Sequence, residues 1–229
     1  MLIKGLQKTT LLDFPSKVAS TVFTGGCNFR CPFCHNASLV TGLDASAVIS
    51  EEEVLSFLSK RRGILDGVCI TGGEPLLQKD IAQFCQKLRE LGLLIKLDTN
   101  GSRPNELRSL IDGGFLDYIA MDVKNSKELY ADTCGISDFP AEVEESVDII
   151  MNSGISYEFR TTVVRELHTK ESIEALCKWI AGAERYYLQG FIDSGDLIGN
   201  GFSAYSADEM GELLEIAKKY IPSAELRGI

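Results

Sequence analysis

Three cysteines within eight residues carry the strongest chemical signal in this chain. Cys27, Cys31 and Cys34 form a C-x3-C-x2-C triplet directly after an apolar, β-branched run from Val18 to Thr24. Closely spaced thiolates on a loop suit a soft metal centre, and iron–sulfur clusters are the usual occupant. A cubane cluster held by three thiolates keeps one iron without a protein ligand, free to bind and activate a small molecule. Zinc is the second reading, but a zinc site wants a fourth ligand. His35 is adjacent to Cys34 and poorly placed to complete a tetrahedron. A disulfide is the third reading and fits worst, because the cysteine total is seven and nothing suggests secretion.

Other reactive residue types recur at the ends of apolar runs. One run ends in Thr71-Gly72-Gly73-Glu74-Pro75, the next in Leu97-Asp98-Thr99-Asn100-Gly101 and a third in Met121-Asp122-Val123-Lys124. Arg160 and Arg165 follow on a fourth, and Leu188-Gln189-Gly190 closes a fifth. Gly72 and Gly73 allow a ligand close to the backbone. Glu74 is a carboxylate suited to a ligand ammonium. Asp98 and Asp122 are hard oxygen donors for a small cation or an amine, and Lys124 offers a positive charge to a carboxylate. Each alone is weak, since Asp-Thr-Asn-Gly is ordinarily a turn. Gathered at successive strand ends behind a metal loop, they point to one cofactor pocket.

The elements that must position these residues follow from periodicity. Strands are expected over roughly 18–24, 67–71, 93–98, 117–122, 155–164 and 185–190. Helices are expected over roughly 50–61, 78–91, 104–112, 142–153, 170–181 and 206–219. The second helix is the clearest: Ile81, Phe84, Cys85, Leu88 and Leu91 recur at three- and four-residue steps, and Gly92 stops it. Ser50 is a good N-cap, followed by three glutamates where the helix dipole favours carboxylates. Six β–α repeats imply a parallel sheet with right-handed crossovers. A full barrel needs eight units and about 250 residues, so 229 residues suggest an incomplete barrel or an open doubly wound sheet. Ligands sit at the carboxyl ends of the strands in both. An edge strand is expected near 224–227. No linker divides the chain, so one domain over 1–229 is expected.

Composition excludes some classes. A net charge of −10 argues against a nucleic-acid binder. No apolar run reaches the length of a membrane span, about 18 residues, and the start of the chain shows no secretory signal pattern. Free thiols without a leader imply a reducing cytoplasm.

Cys27-x3-Cys31-x-Phe33-Cys34, with Gly72-Gly73-Glu74 one β–α unit later, resembles the radical S-adenosylmethionine (SAM) superfamily. More narrowly, Asp13-Phe14-Pro15, the stretch Thr24 to Asn36, Asp98 to Gly101 and Asp122-Val123-Lys124 resemble the glycyl-radical-enzyme activases. Ile3 to Thr9 and Tyr187 to Asp196 are similar to the activating proteins of anaerobic ribonucleoside-triphosphate reductase. The resemblance implies an α/β fold, an incomplete (β/α)6 barrel of the radical SAM type. It implies a [4Fe–4S] cluster on Cys27, Cys31 and Cys34 whose open iron chelates the amino and carboxylate groups of SAM. Reductive cleavage of the sulfonium then gives a 5′-deoxyadenosyl radical, which removes hydrogen from a glycine of the partner. Glu74 with the Gly72–Gly73 backbone would hold the methionyl amine, Lys124 the carboxylate, and Phe33 would lie near the adenine. Asp98, Thr99 and Asp122 match a monovalent-cation site completed by the cofactor carboxylate. The implied partners are anaerobic ribonucleotide reductase and a low-potential electron donor such as flavodoxin or ferredoxin. An activase of the formate-lyase type, or a radical SAM enzyme acting on a small molecule or peptide, is the alternative.

Two departures matter. Leu188 to Asp193 contains no histidine, which some activases carry there, and Asn36 to Ile49 contains no cysteine-rich insert, so one cluster is expected. Of the other cysteines, Cys69, Cys85 and Cys177 read as core residues. Cys134 reads as a loop residue with a smaller claim to a redox or ligand role. His35 and His168 read as local hydrogen-bonding groups and Trp179 as packing. Lys8, Lys17 and Arg30 read as solvated residues near the cysteine loop. Arg160 and Arg165 fit either solvent or a ligand.

Overall fold

The computed structural model describes residues 1–42 and 48–229; residues 43–47, in the short link expected after the triplet, lie outside it. Eight strands form one sheet: β1 (Ile3–Thr10), β2 (Ala19–Thr24), β3 (Gly67–Gly72), β4 (Leu94–Thr99), β5 (Tyr118–Asp122), β6 (Ser156–Val163), β7 (Tyr186–Gly190) and β8 (Glu225–Arg227). Among the described residues the α-helices are α1 (Ala37–Val40), α2 (Glu51–Ser59), α3 (Ile81–Glu90), α4 (Pro104–Asp112), α5 (Tyr130–Cys134), α6 (Ala141–Met151), α7 (Lys170–Trp179) and α8 (Ala207–Lys218).

Spatial order equals chain order from β1 to β8. Every pair from β2 onward is parallel, while β1 runs antiparallel to β2. A doubly wound sheet reverses its strand order at a switch point; this sheet never reverses. The sequential order therefore selects the incomplete barrel of the two architectures left open above. All six expected parallel strands and the expected edge strand form. β1 escaped sequence reading because only its terminal residues, Ile3 and Thr10, are buried, so no alternating pattern marks it.

Helix α3 shows how the sequence becomes packing. Its stripe of Ile81, Phe84, Cys85 and Leu88 is buried, with Lys87 and Arg89 near its carboxyl end. Full burial of a large apolar side chain contributes about 1.5–3 kcal/mol, so this stripe alone anchors the helix. At α2, the Ser50 hydroxyl accepts from Glu53 N–H at 3.1 Å, as its N-cap position requires. Cys85 and Cys177 are fully buried core residues, and Trp179 packs edge-on with Tyr130 and Phe139. Lys8 lies over the ring of Phe57 on the part of β1 remote from the cysteine loop. Cys134 is not in a loop: it is the last residue of α5 and wholly buried.

Candidate functional site

The carboxyl ends of β2 to β7 surround a cavity of about 290 Å³. It is lined by Cys27, Cys31 and Cys34 from the cysteine loop, by Gly72 and Gly73, and by a charged wall of Asp98, Asp122, Lys124 and Arg160. Gln189 and Gly190 close the β7 side, where the sequence lacks a histidine. The loops converge as the strand-end motifs imply.

The cysteine loop is fastened at several points. Phe29 and Phe33 are buried, anchoring the chain between the thiols, and Phe33 also borders the cavity. Gly26 N–H donates to Leu39 O at 2.8 Å, and Cys34 N–H to Cys31 O at 3.1 Å. Arg30 N–H donates to Cys134 O at 2.8 Å, and Gly199 N–H to Pro32 O at 2.7 Å. Asn100, at the end of β4, donates through Nδ2 to Asn28 Oδ1 at 3.2 Å and lies 3.6 Å from Cys27 Sγ. All three thiols are free. Burial pushes the Cys27 thiol up to about 11 and raises that of Cys34, so both stay protonated until a metal displaces the proton. Cys31 differs: a hydrogen bond from Cys134 brings it down to about 7.

All three cysteines are free, which removes the disulfide reading. Each thiolate of a cluster binds its own iron; the three free thiols that line the cavity fit that demand.

Gly72 and Gly73 prove to be required by the protein itself. A Cβ at Gly73 would meet Gly26 O at 2.0 Å, and one at Gly72 would meet Thr24 O at 2.5 Å. Glu74 N–H donates to Gly26 O at 2.8 Å, so the motif is laced to the cysteine loop. The Glu74 carboxylate turns away from the cavity. It accepts from Thr99 Oγ1 at 2.8 Å, Asn100 N–H at 2.7 Å and Leu76 N–H at 3.0 Å. Complete burial outweighs these donors and pushes its pKa up to about 7. Glu74 thereby ties the β3 and β4 ends together, and Thr99 is engaged with Glu74.

The charged wall is a chain of alternating charges. Lys96 pairs with Asp98 inside the barrel. Arg160 Nη1 reaches Asp98 Oδ2 at 3.1 Å, and its Nε reaches Asp122 Oδ1 at 2.8 Å. Lys124 Nζ donates to Asp122 Oδ2 at 3.0 Å. The guanidinium thus stands between the two carboxylates read as a cation site. Burial opposes ionisation of Asp98 and Asp122, yet Arg160 with Lys96 and Lys124 holds both below the usual carboxylate range. Burial likewise opposes the Lys124 charge, but Asp122 prevails and raises its pKa. Among the residues that line the cavity two cations balance two carboxylates, and Lys124 stands at the end of the chain, paired through Asp122. His168 is buried behind this wall, with Nδ1 accepting from Val164 N–H at 3.1 Å and Nε2 donating to Lys124 O at 2.8 Å. It positions the Lys124 backbone and is a local hydrogen-bonding group. Arg165 is remote from this wall, paired with Glu209 on the surface.

The sequence profile of the Radical SAM superfamily matches residues 21–180, which span the cysteine loop and the charged wall. A protein of Methanocaldococcus jannaschii bearing the provisional name of glycyl-radical enzyme activating enzyme is 30% identical, over 100% of this chain and 96% of its own length. A 7-carboxy-7-deazaguanine synthase of Methanospirillum hungatei is 33% identical over 65% of this chain and 59% of its own. In fold, the chain is similar to a domain of pyruvate-formate lyase-activating enzyme from Bacteroides vulgatus. The TM-score is 0.59 at 16% identity, covering 71% of this chain and 99% of that one. It is also similar to Streptococcus suis SuiB bound to S-adenosylmethionine, with a TM-score of 0.70 at 17% identity, covering 89% of this chain and 48% of that one. No described helix is long and apolar enough to cross a membrane.

Proposed function

Since this chain belongs to the Radical SAM superfamily, we propose that it is an activating enzyme that installs a glycyl radical on a partner, and that the partner is anaerobic ribonucleoside-triphosphate reductase. The observation that carries the reading is the cavity itself: three free thiols, two glycines and the ion-paired Asp98, Asp122, Lys124 and Arg160 line one cavity. When bound, a [4Fe–4S] cluster supplies the electron that cleaves the sulfonium of SAM.

The chain's own residues have separable tasks. Cys27, Cys31 and Cys34 would hold the cluster. Lys124, at the end of the charged chain and paired through Asp122, would take the SAM carboxylate. The Gly72–Gly73 backbone would take the methionyl amine; Glu74 supports that backbone from behind through Thr99 and Asn100. Phe33 would border the adenine. Arg160 holds Asp98 and Asp122 in register, and a monovalent cation at Asp98, Thr99 and Asp122 would compete with its guanidinium. A low-potential flavodoxin or ferredoxin would be the electron source.

The likeness to an activating enzyme over the whole of this chain supports a macromolecular target. A glycine-bearing loop entering from the mouth needs no closed compartment. The likeness to 7-carboxy-7-deazaguanine synthase supports a second reading, a small-molecule substrate.

Anaerobic protein with reconstituted cluster, dithionite and SAM should yield 5′-deoxyadenosine and methionine. Adding the reductase should give the doublet EPR signal of a glycyl radical. A doublet with formate lyase and none with the reductase would reassign the partner. Absence of 5′-deoxyadenosine would remove the enzymatic reading.

A further inference from the structure

Glu158 and Arg160 are two apart on β6 and so share one face of the strand. Arg160 is the bridge of the charged wall, and Glu158 lies buried one step nearer the amino end of the strand. Glu158 Oε1 accepts from Arg227 Nη1 at 2.9 Å. Its Oε2 accepts from Arg227 Nη2 at 3.2 Å and from the Tyr118 hydroxyl at 3.0 Å. Arg227 belongs to the edge strand β8, which pairs with β7 and not with β6. Its guanidinium lies 3.7 Å over the centre of the Tyr187 ring, and so crosses β7 to reach the carboxylate. Neither Glu158 nor Arg227 is among the described residues that line the cavity.

Glu158 Oε1 also stands 4.0 Å from Arg160 Nη1. That nitrogen is the one that holds Asp98 Oδ2 at 3.1 Å. Two carboxylates therefore lie within reach of one donor group, and Arg227 decides between them. A forked guanidinium–carboxylate pair is charge-assisted and directional, so Arg227 gives each Glu158 oxygen a partner. Without it the buried carboxylate would keep only the Tyr118 hydroxyl, and an uncompensated buried charge is strongly unfavourable. Among the described residues, Arg160 is the other cation within 4.0 Å of Glu158; Arg185 is engaged with the Tyr118 hydroxyl at 3.3 Å.

We infer that Arg227 is a positioning residue for the SAM site: by occupying Glu158 it leaves the Arg160 guanidinium to Asp98 and Asp122. The inference rests on the assignment of the SAM carboxylate to Lys124 above. A guanidinium drawn toward Glu158 gives up Asp98 and loosens its hold on Asp122 Oδ1. Asp122 then holds Lys124 more tightly through Oδ2, already its partner at 3.0 Å. The ammonium is less available to an anionic ligand as a result. The last strand of the sheet thus acts on the cavity through Glu158, Arg160 and Asp122 in turn.

The test is equilibrium dialysis of labelled SAM against anaerobically reconstituted protein, with iron per chain measured on each variant. Arg227→Met keeps an apolar stem over Tyr187 and removes the fork. It should weaken SAM binding about fivefold, the lower end of coupling between separated sites, at unchanged iron. Glu158→Gln removes the competing charge, so the double variant should return to within about twofold of the unsubstituted protein. An Arg227 that merely packs the edge strand predicts no such rescue. Unchanged affinity in Arg227→Met, or a double variant that binds no better than Arg227→Met, overturns the inference and leaves the functional reading intact. Should Arg227→Met fail to fold, Arg227→Lys decides, because it keeps the charge and loses the fork; its weaker binding should likewise be relieved by Glu158→Gln, and absence of relief overturns the inference. Iron-loaded, unsubstituted protein that binds no SAM overturns both.

Discussion

The two walls of the cavity solve the problem of buried polar groups in opposite ways. The cysteine wall is chemically unfinished: burial raises the Cys27 and Cys34 thiols, and no disulfide joins any of the three. The charged wall is finished: each of Asp98, Asp122, Lys124 and Arg160 already has an opposite charge in contact. One wall needs an outside group to ionise it, and the other needs none. The difference agrees with the proposal that a metal group binds on one side and an anionic ligand on the other. It also makes separate demands on mutation: changes to the first wall should cost function, and loss of the bridging Arg160 from the second should cost stability first.

The sharpest break is at the unfinished wall. Cys31→Ala should lose the cluster, with bound iron and SAM cleavage both falling to background while far-UV circular dichroism is preserved. Collapse of the fold instead would mean that the metal is structural, as in a zinc scaffold.

Arg160→Ala should show the reverse pattern. Removing the bridging guanidinium leaves two carboxylates short of their partner. Breaking such a buried network costs about 3–5 kcal/mol, measurable as a lower denaturation midpoint in urea. A loss below about 1 kcal/mol, the scale of a surface pair, would show that Lys96 and Lys124 suffice.

Glu74 joins the two walls, and its prediction depends on pH. Its folded-state pKa, about 7, lies above the ordinary 4.5. A raised carboxyl contributes stability that is full below the unfolded value and lost as pH rises through the folded one. At about 1.4 kcal/mol per unit, the loss between pH 4.5 and 7 reaches about 3 kcal/mol. Glu74→Gln, which cannot ionise, should therefore gain on the parent protein as urea denaturation is moved from pH 5 to pH 8. A stability difference independent of pH would show that the three donors keep the carboxylate ionised throughout.

Lys124→Met should weaken SAM binding about tenfold, or about 1.4 kcal/mol, in equilibrium titration of the cluster-loaded protein. Asp122 keeps Arg160, so the fold should persist. Unchanged affinity would assign the carboxylate to another group. The smallest effect concerns ions: replacing sodium and potassium by a bulky organic cation should alter SAM affinity less than about twofold, under 0.5 kcal/mol. A larger drop would mean that a monovalent cation displaces Arg160 when the ligand binds.

The parts of this design visible in the sequence are those with a period or a fixed spacing. Helix α3 and the strands from β2 to β7 announce themselves through apolar runs, and the triplet through its spacing. The charged wall was half visible. Asp98, Asp122 and Lys124 sit at strand ends, but Arg160 lies within a strand, and sequence alone does not say which face of a curved sheet it joins. Its register opposite Asp122 settles that. Glu74 stood at the expected strand end, but the 3-10 turn at Pro75–Leu77 draws its side chain back among backbone donors. Five residues are too few for α5 to show a helical period, so Cys134 reads as a loop residue in the sequence. β1 lacked any signal beyond its two buried ends.

The most direct test of the whole account is the EPR spectrum of the reduced, anaerobically reconstituted protein before and after SAM is added. Three thiolates and one open iron predict about four irons per chain and a spectrum that changes when SAM reaches that iron. A reduced cluster whose signal is indifferent to saturating SAM would mean that every iron already has its protein ligand, and would contradict the account.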